Sequence, residues 1–284
     1  MTVESKRELG QYFTKDEVWL RPHIKEHIIS LMEKYKLCVD PFAGDGHLLN
    51  IAKVFGYETV GHDIDADICK KNGWGVPNDS LMNVIRHKDA FVLTNPPYLA
   101  KNSAKRMKSE MVSYFQPGAI PGIEIEMLGV LDDLFKFAIE KVLQTYSESI
   151  WIVPESGIQD LDDLNHWMKD LHSVTILEQN PFDDTEHPVC VMIISRSDPK
   201  QEIWKNDELL GKYVDIKSIH DSISKDSVGL FPHPVSLLRI TVDIIPTWGS
   251  FRGARIWRFR TLLEDTTTEE GENSSSNRCY PSGL

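Results

Sequence analysis

The fold is indicated most directly by the stretch Asp40-Pro41-Phe42-Ala43-Gly44-Asp45-Gly46, which lies between two apolar segments. Cys38 and Val39 precede it as the end of a short strand, and apolar residues recur at helical spacing from Leu48 to Phe55. Two glycines between a strand and a helix permit a tight turn and a close approach of the backbone to a ligand. The stretch therefore predicts a nucleotide-type binding turn at the carboxyl end of a strand in an α/β protein.

The side chains of the turn indicate which ligand it binds. A turn that binds phosphate offers bare N–H groups and a lysine, whereas this one carries Asp40 and Asp45 and no lysine. Carboxylates favour a cationic, hydroxyl-bearing ligand, and S-adenosylmethionine (AdoMet) has an ammonium, a sulfonium and a ribose. A second apolar run ends at Gly61, and Asp63 then lies about 20 residues after the turn, where mononucleotide folds have a ribose-binding acid. Asp65 is the alternative candidate for that role.

A second motif, Asn95-Pro96-Pro97-Tyr98, follows the apolar run 90–94. The side-chain oxygen of the asparagine and a proline carbonyl can both accept hydrogen bonds from one NH2 group, and the prolines fix the backbone. The tyrosine offers a flat face for a ring or an amide. This motif suits methyl transfer to an amine. Methylation of cytosine at carbon 5 would instead need a nucleophilic cysteine, and Cys190 lies in an apolar strand pattern.

In this order the motifs resemble those of the gamma-class N6-adenine DNA methyltransferases, and the resemblance covers roughly residues 8 to 200. It implies transfer of a methyl group from AdoMet to the N6 amine of a flipped-out adenine in DNA. The stretch 10–14 is similar to the family's N-terminal motif, which folds over the methionine part of AdoMet. The implied catalytic residues are Asn95, Pro96, Pro97 and Tyr98. The implied cofactor-binding residues are Tyr12, Phe13, Thr14, Asp40, Phe42, Gly44, Asp45, Gly46, Asp63, Ile64, Asp79 and Ser80.

Two of the implied assignments have a simpler alternative. Asp79, with Ser80 and Leu81, resembles the motif whose aspartate contacts the cofactor adenine, but an aspartate also suits an ordinary turn. Phe182 lies where the family often has an aromatic that packs on the flipped base, but it also suits a turn that covers the core. Base flipping costs a few kcal/mol, and stacking on Tyr98 and Phe182 would recover part of that cost.

The charge of the chain is unusual for an enzyme that acts on DNA. Its net charge is −12, whereas nucleic-acid-binding proteins usually show a basic surface. A local basic cluster directly after the catalytic motif is therefore the first candidate for DNA contact, and it consists of Lys101, Lys105, Arg106 and Lys108. A second cluster with five arginines and two tryptophans lies at 239–260. Each cluster is also compatible with an ordinary solvated surface.

The composition indicates a protein of the cytoplasm. Hydrophobic residues make up 41% of the chain, yet no apolar run approaches the roughly 20 residues of a membrane span. The first residues are polar and charged, which does not fit a signal peptide. The four cysteines have no paired spacing, so neither a zinc site nor a disulfide framework is predicted.

Helical and strand patterns alternate along the chain and predict the domain organisation. Helices are expected at 18–35, 126–143 and 159–171, a strand at 149–153, and an antiparallel strand pair at 174–177 and 189–194. The predicted fold is therefore α/β, with a doubly wound, mostly parallel sheet of the AdoMet-dependent methyltransferase type and an antiparallel last strand pair. The predicted regions are a catalytic domain (1–200) with a mobile loop at 99–122, a small DNA-contacting C-terminal extension (201–264) and an acidic disordered tail (265–284).

Three function classes remain open at this stage. The first is the DNA adenine methyltransferase, and the second is a methyltransferase with the same catalytic turn that acts on an RNA adenine or a protein glutamine amide. The third is a truncated, non-catalytic subunit, because DNA enzymes of the resembled class usually carry a large target-recognition region that is not evident here. The expected partners are DNA and either a separate specificity subunit or a cognate restriction endonuclease system.

Overall fold

The computed structural model describes residues 18–159, 165–179, 181–182 and 188–214, which all belong to one structural unit. The predicted cofactor residues Tyr12, Phe13 and Thr14 lie outside these ranges. The arginine cluster at 239–260 and the acidic tail at 265–284 lie outside them as well.

The described residues form one sheet of eight strands in the order β2-β1-β3-β4-β6-β5-β7-β8. Its strands are β1 (Leu37–Asp40), β2 (Glu58–Gly61), β3 (Ala90–Thr94), β4 (Glu148–Pro154), β5 (Leu171–Ile176), β6 (Val189–Ser195), β7 (Glu202–Lys205) and β8 (Glu208–Lys212). The first four strands in the order β2-β1-β3-β4 are mutually parallel. Strand β6 is antiparallel to both β4 and β5, β5 is parallel to β7, and β7 and β8 form an antiparallel hairpin.

The helices begin and end at residues that favour those boundaries. The helices described are α1 (Pro22–Ser30), α2 (His47–Val54), α3 (Ala66–Asn72), α4 (Lys101–Met107), α5 (Leu134–Leu143), α6 (Ser156–Gln159) and α7 (Asn165–Asp170). Proline at the first position suits α1 because its missing N–H has no helical partner there. The Asp65 side chain accepts from the backbone N–H groups of Asp67 and Ile68 at the start of α3. Gly73 ends α3 in the left-handed region with φ 73°.

One core lies between helices α1 and α2 and one face of the sheet. Ile24 and Ile28, one helical turn apart, are fully buried on α1. The strand residues in this core alternate, as the two-residue period of a strand requires. They include Phe91, Leu93, Ile150, Ile152, Val189, Val191 and Ile193.

Helix α5 lies outside that core and is buried at every position, including three charged residues. Lys136 Nζ lies 2.5 Å from Asp132 Oδ1, and Lys141 Nζ lies 2.6 Å from the Pro121 carbonyl oxygen. Glu140 Oε2 accepts hydrogen bonds from His166 and Trp167. These partners come from chain segments on both sides of α5, so the helix is enclosed, and its buried charges avoid the large cost of burial without a partner.

The predicted fold class is confirmed, because the sheet is mixed but mostly parallel, with helices packed against it. The predicted antiparallel pair at 174–177 and 189–194 corresponds to β5 and β6. Strands β7 and β8 lie beyond residue 200 and extend the same sheet. Their two-residue connection places Asn206 at φ 49°, a conformation that asparagine tolerates better than most residues.

Several predicted element boundaries were wrong. The segment 99–122 is not an irregular loop, since it contains α4 and a 3-10 helix at Glu110–Phe115. The helix predicted from 126 begins only at Leu134, where the Asp133 side chain caps it, and a 3-10 turn precedes it. Of the helix predicted at 159–171, the part at Asn165–Asp170 is present as α7 and 160–164 lie outside the described residues, but helix α6 already begins at Ser156 and β5 begins at Leu171.

Candidate active site

The two sequence motifs meet at the place where the strand order changes direction. Strand β2 lies on one side of β1, whereas β3 and β4 lie on the other. Open α/β sheets bind ligands beyond the carboxyl ends of the strands at such a switch point. Strand β1 ends at Asp40 and β3 ends at Thr94, so both motifs begin at this point of the sheet.

A direct hydrogen bond joins the two motifs. The Thr94 hydroxyl donates to Asp40 Oδ1 at 2.5 Å, and the same oxygen accepts from the backbone N–H of Phe42 at 3.0 Å. Asp40 and Thr94 are 2% and 0% exposed. The glycine turn is therefore fixed to the strand that leads into Asn95. Sequence reasoning did not single out Thr94.

Close packing as well as backbone conformation requires the glycine at the end of the turn. Gly46 has φ 79°, in the left-handed region, and a Cβ atom there would lie 2.9 Å from the ring of Trp74. A Cβ atom on Gly61, at the end of β2, would lie 2.7 Å from the same ring. Trp74 follows α3 and covers the turn from outside. Sequence reasoning missed this tryptophan because nothing local indicates that it folds back over β2.

Burial strongly affects the acids of this site. Burial raises the pKa of Asp40 to about 7, and its hydrogen bonds from Thr94 and Phe42 only partly oppose that effect. The nearby charge of Asp63 raises the pKa of Asp40 further. Burial also raises the pKa of Asp63. A cation placed beside these carboxyl groups would stabilise their ionised forms.

The structure distinguishes the roles of the two acids that follow β2. Asp63 accepts from Gly44 N–H at 2.9 Å with Oδ2 and from Asp65 N–H at 2.8 Å with Oδ1, which ties the loop after β2 to the glycine turn. A carboxylate has about four acceptor sites, so Asp63 retains acceptor capacity. Asp65 caps α3. Ile64 between them is 47% exposed, which leaves an apolar surface beside the buried acid.

The segment with Asp79 lies next to that acid. The backbone N–H of Asn78 donates to the Asp63 carbonyl oxygen at 2.8 Å. Asp79 Oδ1 accepts from Leu81 N–H at 3.0 Å, which forms the expected turn, and Oδ2 accepts from the Tyr114 hydroxyl at 2.6 Å. The Ser80 hydroxyl accepts from the Asn78 side chain, and Ser80 is 2% exposed. Ser80 thus supports the turn itself.

The motif predicted to be catalytic, Asn95 to Tyr98, is held in an ordered turn. The Tyr98 hydroxyl is within hydrogen-bonding distance of Asn95 Oδ1 and of the Ile152 carbonyl oxygen on β4. Neither Pro96 nor Pro97 has an N–H group to offer the neighbouring strand. The hydroxyl contact directs the side-chain oxygen of Asn95, rather than its NH2 group, toward the tyrosine.

Two phenylalanines support the ring of Tyr98. Phe135 on α5 and Phe182 both pack edge-on against it, with ring centroids 6.3 Å and 6.0 Å away. Phe182 is 5% exposed and belongs to the core. A base held between two rings needs their planes parallel and about 7 Å apart, twice a normal contact distance. In this conformation Phe182 therefore supports Tyr98, and a base would reach Phe182 only after side chains move.

The basic cluster after the catalytic motif lies on helix α4. Lys105 and Arg106 are exposed, as is Lys108 just beyond the helix, whereas Lys101 is half-buried at its first position. The backbone N–H of Lys101 donates to the Asp132 carbonyl oxygen at 2.8 Å, which fixes the start of the helix close to α5. The cluster is thus an ordered surface next to the Asn-Pro-Pro-Tyr turn.

Other kinds of site find no support among the described residues. Cys38, Cys69 and Cys190 are buried, and burial raises the pKa of the Cys38 and Cys69 thiols. No group of three or more histidine, cysteine or acidic side chains in the described ranges is arranged to hold a metal ion. None of the described helices is long and apolar enough to span a membrane.

Comparison with protein-family models gave no match, and comparison with curated protein sequences gave none either. Similar solved structures include a class I S-adenosylmethionine-dependent methyltransferase, so described, from Listeria monocytogenes, with 16% identity, TM-score 0.45, and coverage of 68% of this chain and 64% of that one. A type I restriction-modification methyltransferase subunit from Streptococcus thermophilus has 17% identity, TM-score 0.44 and coverage of 76% and 53%. The 23S rRNA methyltransferase ErmE has 12% identity, TM-score 0.37 and coverage of 80% and 84%.

The chain spans less than two thirds of the length of the first two of these proteins, 64% and 53%. At this level of identity and TM-score, the comparisons assign neither an activity nor a substrate to the chain.

Proposed function

We propose that this chain transfers a methyl group from AdoMet to the N6 amine of an adenine in DNA. The observation that carries the proposal is the hydrogen bond from Thr94 to Asp40. It holds the Asn-Pro-Pro-Tyr motif beside an acidic glycine turn at the switch point of the sheet, so a cationic donor and an amine acceptor would meet there.

The residues of the turn fit AdoMet. Asp40 and Asp63 supply buried carboxyl groups for a cationic, hydroxyl-bearing ligand, and the exposed side chain of Ile64 supplies an apolar surface for a ring. Asp63 would hold the ribose, Asp79 the adenine, and Asp40 would face the cationic end. When bound, AdoMet would supply an electrophilic methyl group.

The motif at the end of β3 would activate and orient the target amine. The lone pair of the adenine N6 amine is delocalised into the ring, so this amine is a poor nucleophile. Hydrogen bonds from N6 to Asn95 Oδ1 and to the Pro96 carbonyl oxygen would draw the nitrogen toward a tetrahedral shape and fix its direction. Tyr98 would offer its ring face to the base, with Phe135 and Phe182 holding that ring in place.

DNA is proposed as the substrate for two reasons. The resemblance at residues 10–14 points to the gamma-class DNA enzymes, and the exposed basic surface of α4 adjoins the catalytic turn. An RNA adenine or a protein glutamine amide would present the same kind of nitrogen to Asn95. A specificity subunit or a cognate restriction endonuclease is proposed as a partner on the strength of the resemblance to the gamma-class DNA methyltransferases.

The direct test incubates the protein with methyl-labelled AdoMet and, separately, with DNA, structured RNA and a glutamine-containing protein mixture. Digestion of the labelled product to nucleosides or amino acids then identifies the methylated group. We expect N6-methyladenine from DNA. Label in RNA adenine or in glutamine would transfer the proposal to that substrate. AdoMet binding without transfer to any substrate, with or without added partner proteins, would favour a non-catalytic subunit.

The affinity for AdoMet should depend on pH through Asp40. The free protein has this group with a pKa of about 7, so its carboxyl is mainly protonated below that pH. Because a cationic ligand favours the carboxylate, we expect affinity to fall as pH is lowered through 7, by up to about tenfold per pH unit. Above about pH 8 the amino group of the ligand loses its own charge, so affinity should peak between these values. Calorimetric titration across this pH range measures the fall in AdoMet affinity on both sides of the maximum.

The control is Asp40→Asn, which keeps an oxygen for the hydrogen bonds from Thr94 and Phe42. Its affinity should be lower, and the fall in affinity as pH is lowered through 7 should be lost. If the AdoMet affinity of the wild-type protein and of this variant fell equally as pH was lowered, Asp40 would have no part in the pH dependence.

Binding of DNA should depend on the exposed cations of α4. Removal of Lys105 and Arg106 together, by alanine substitution, should weaken DNA binding. It should also reduce the slope of log affinity against log salt by up to about 0.9 for each phosphate group that the protein no longer neutralises. The affinity for AdoMet should not change. Fluorescence anisotropy with a short duplex at several salt concentrations measures the slope.

A matched control replaces Lys36 and Lys88 by alanine. These lysines precede the amino ends of β1 and β3, whereas the two motifs follow the carboxyl ends, and their removal changes the net charge by the same amount. If both double variants altered the slope equally, the effect would reflect net charge and not DNA binding at α4.

A further inference from the structure

Asp79 is held from two directions. Its Oδ1 atom accepts from Leu81 N–H, as in any turn begun by aspartate, at 3.0 Å. Its Oδ2 atom accepts from the hydroxyl of Tyr114, 35 residues further along the chain, at 2.6 Å. The local bond is enough to form the turn, so the second one restricts the carboxylate beyond what the turn requires.

The tyrosine that donates this bond is itself firmly placed. Tyr114 lies in the 3-10 helix Glu110–Phe115, whose first turn is capped by the Ser109 hydroxyl. The next residue, Phe115, is 2% exposed and packs edge-on against Phe137 of helix α5, with ring centroids 5.5 Å apart. Burial raises the pKa of the Tyr114 hydroxyl and the bond to Asp79 raises it further, so the group remains a donor at neutral pH. A core contact thus aims the hydroxyl at the carboxylate.

The position of Asp79 relative to Asp63 indicates a role for the Asp79 carboxylate. The backbone N–H of Asn78 donates to the carbonyl oxygen of Asp63, the acid proposed to bind ribose, at 2.8 Å. Asp79 is the next residue along the chain, so its backbone lies close to Asp63. The exposed apolar side chain of Ile64 lies beside the same acid in sequence and is 47% exposed. A ribose at Asp63 would carry its attached base toward this part of the surface.

We propose that Tyr114 is a positioning residue for the cofactor, which orients the Asp79 carboxylate toward the exocyclic amine of the adenine ring. The proposal rests on the proposed AdoMet-dependent function and deepens it, since it names the group that would set the preference for adenine. Because a carboxylate only accepts hydrogen bonds, it favours the NH2 group of adenine and repels the exocyclic carbonyl oxygen that replaces this group in hypoxanthine. Two fixed donors on Asp79 preorganise this contact, so less freedom is lost on binding.

The test compares S-adenosylhomocysteine with S-inosylhomocysteine, in which a carbonyl oxygen replaces the exocyclic amine and the neighbouring N1 carries a proton, by calorimetry with no substrate present. The wild-type protein should bind the adenine ligand at least ~10-fold more tightly, the scale of a hydrogen bond to a charged group. Tyr114→Phe keeps the ring but removes the hydroxyl, and it should reduce that ratio by about 3-fold to 10-fold. Asp79→Asn should abolish most of it. A double variant should be no worse than Asp79→Asn, because both residues act on one contact.

Tyr35→Phe is the matched control, because the Tyr35 hydroxyl contacts Ser147 away from this site. Its ligand ratio should equal that of the wild-type protein, and thermal unfolding checks that each variant is folded. A wild-type ratio near one would overturn the role of Asp79, and an unchanged ratio in Tyr114→Phe would overturn the role of the tyrosine. In both cases AdoMet binding would still stand, whereas failure of the wild-type protein to bind either ligand would refute the proposed function itself.

Discussion

Replacement of Asn95 by alanine is expected to lower the rate of methyl transfer by at least ~100-fold, the cost of removing one preorganised polar group elsewhere. The affinity for AdoMet should be unchanged, because the Asn95 side-chain oxygen serves the target amine and not the cofactor. Loss of the rate with retained binding would separate the chemical step from cofactor binding. Single-turnover kinetics with labelled AdoMet, together with calorimetry, measures the two quantities.

The matched control is Asn102→Ala, which removes an exposed amide from helix α4. This variant should keep the rate of the wild-type protein. The fold of Asn95→Ala is checked by thermal unfolding, since the Tyr98 hydroxyl loses one of its partners but still has the Ile152 carbonyl oxygen. Wild-type activity in a folded Asn95→Ala protein would remove Asn95 from the catalytic role.

The second large effect is expected at Asp63. Its replacement by alanine should weaken AdoMet binding by about 1 to 3 kcal/mol, roughly 5-fold to 150-fold, the scale of a lost hydrogen bond to a charged group. Two causes contribute, because the ribose would lose its acceptor and the Gly44 N–H would lose the oxygen that holds the glycine turn. Calorimetric titration of the wild-type protein and the variant measures the change.

Asp65 provides the comparison that decides between the two acids. Asp65→Ala should lower the free energy of unfolding by about 1 kcal/mol, because α3 loses its cap, but it should leave AdoMet affinity intact. The opposite pattern, with affinity lost in Asp65→Ala and kept in Asp63→Ala, would assign the ribose to Asp65. Asp67→Ala, which removes an exposed acid from the same helix, should change neither quantity by much.

The parts of the fold that could be predicted from sequence are those that local patterns determine. Fully buried strands such as β3 and β4 read as apolar runs, and the glycine turn after Asp40 marks the start of a helix. The parallel order then follows from alternation of strands and helices. The hydrogen bond between Thr94 and Asp40 was not predicted from the sequence. It is possible because the two residues end adjacent strands.

The errors have a common physical origin in contacts between distant segments. The sequence of helix α5 does not indicate that Lys136, Glu140 and Lys141 are buried, because other segments supply their partners. The segment after the Asn-Pro-Pro-Tyr motif has a polar composition that predicted a loop, yet Phe115 fixes it to α5. Trp74 and Tyr114 were missed for the same reason. The local sequence pattern does not indicate that a side chain contacts a segment far away in the sequence.

The contact between the Tyr98 hydroxyl and Asn95 Oδ1 has a consequence for selectivity. An amide oxygen has two lone pairs, so the tyrosine occupies one acceptor site of Asn95 and the second would serve the substrate amine. The same contact holds the amide in one orientation, so the second site faces a fixed direction. A base attached to a polymer that is already held at helix α4 would reach that site at a high local concentration, whereas a dilute free base would not. The acceptor would thus favour a substrate delivered by the surface beside it.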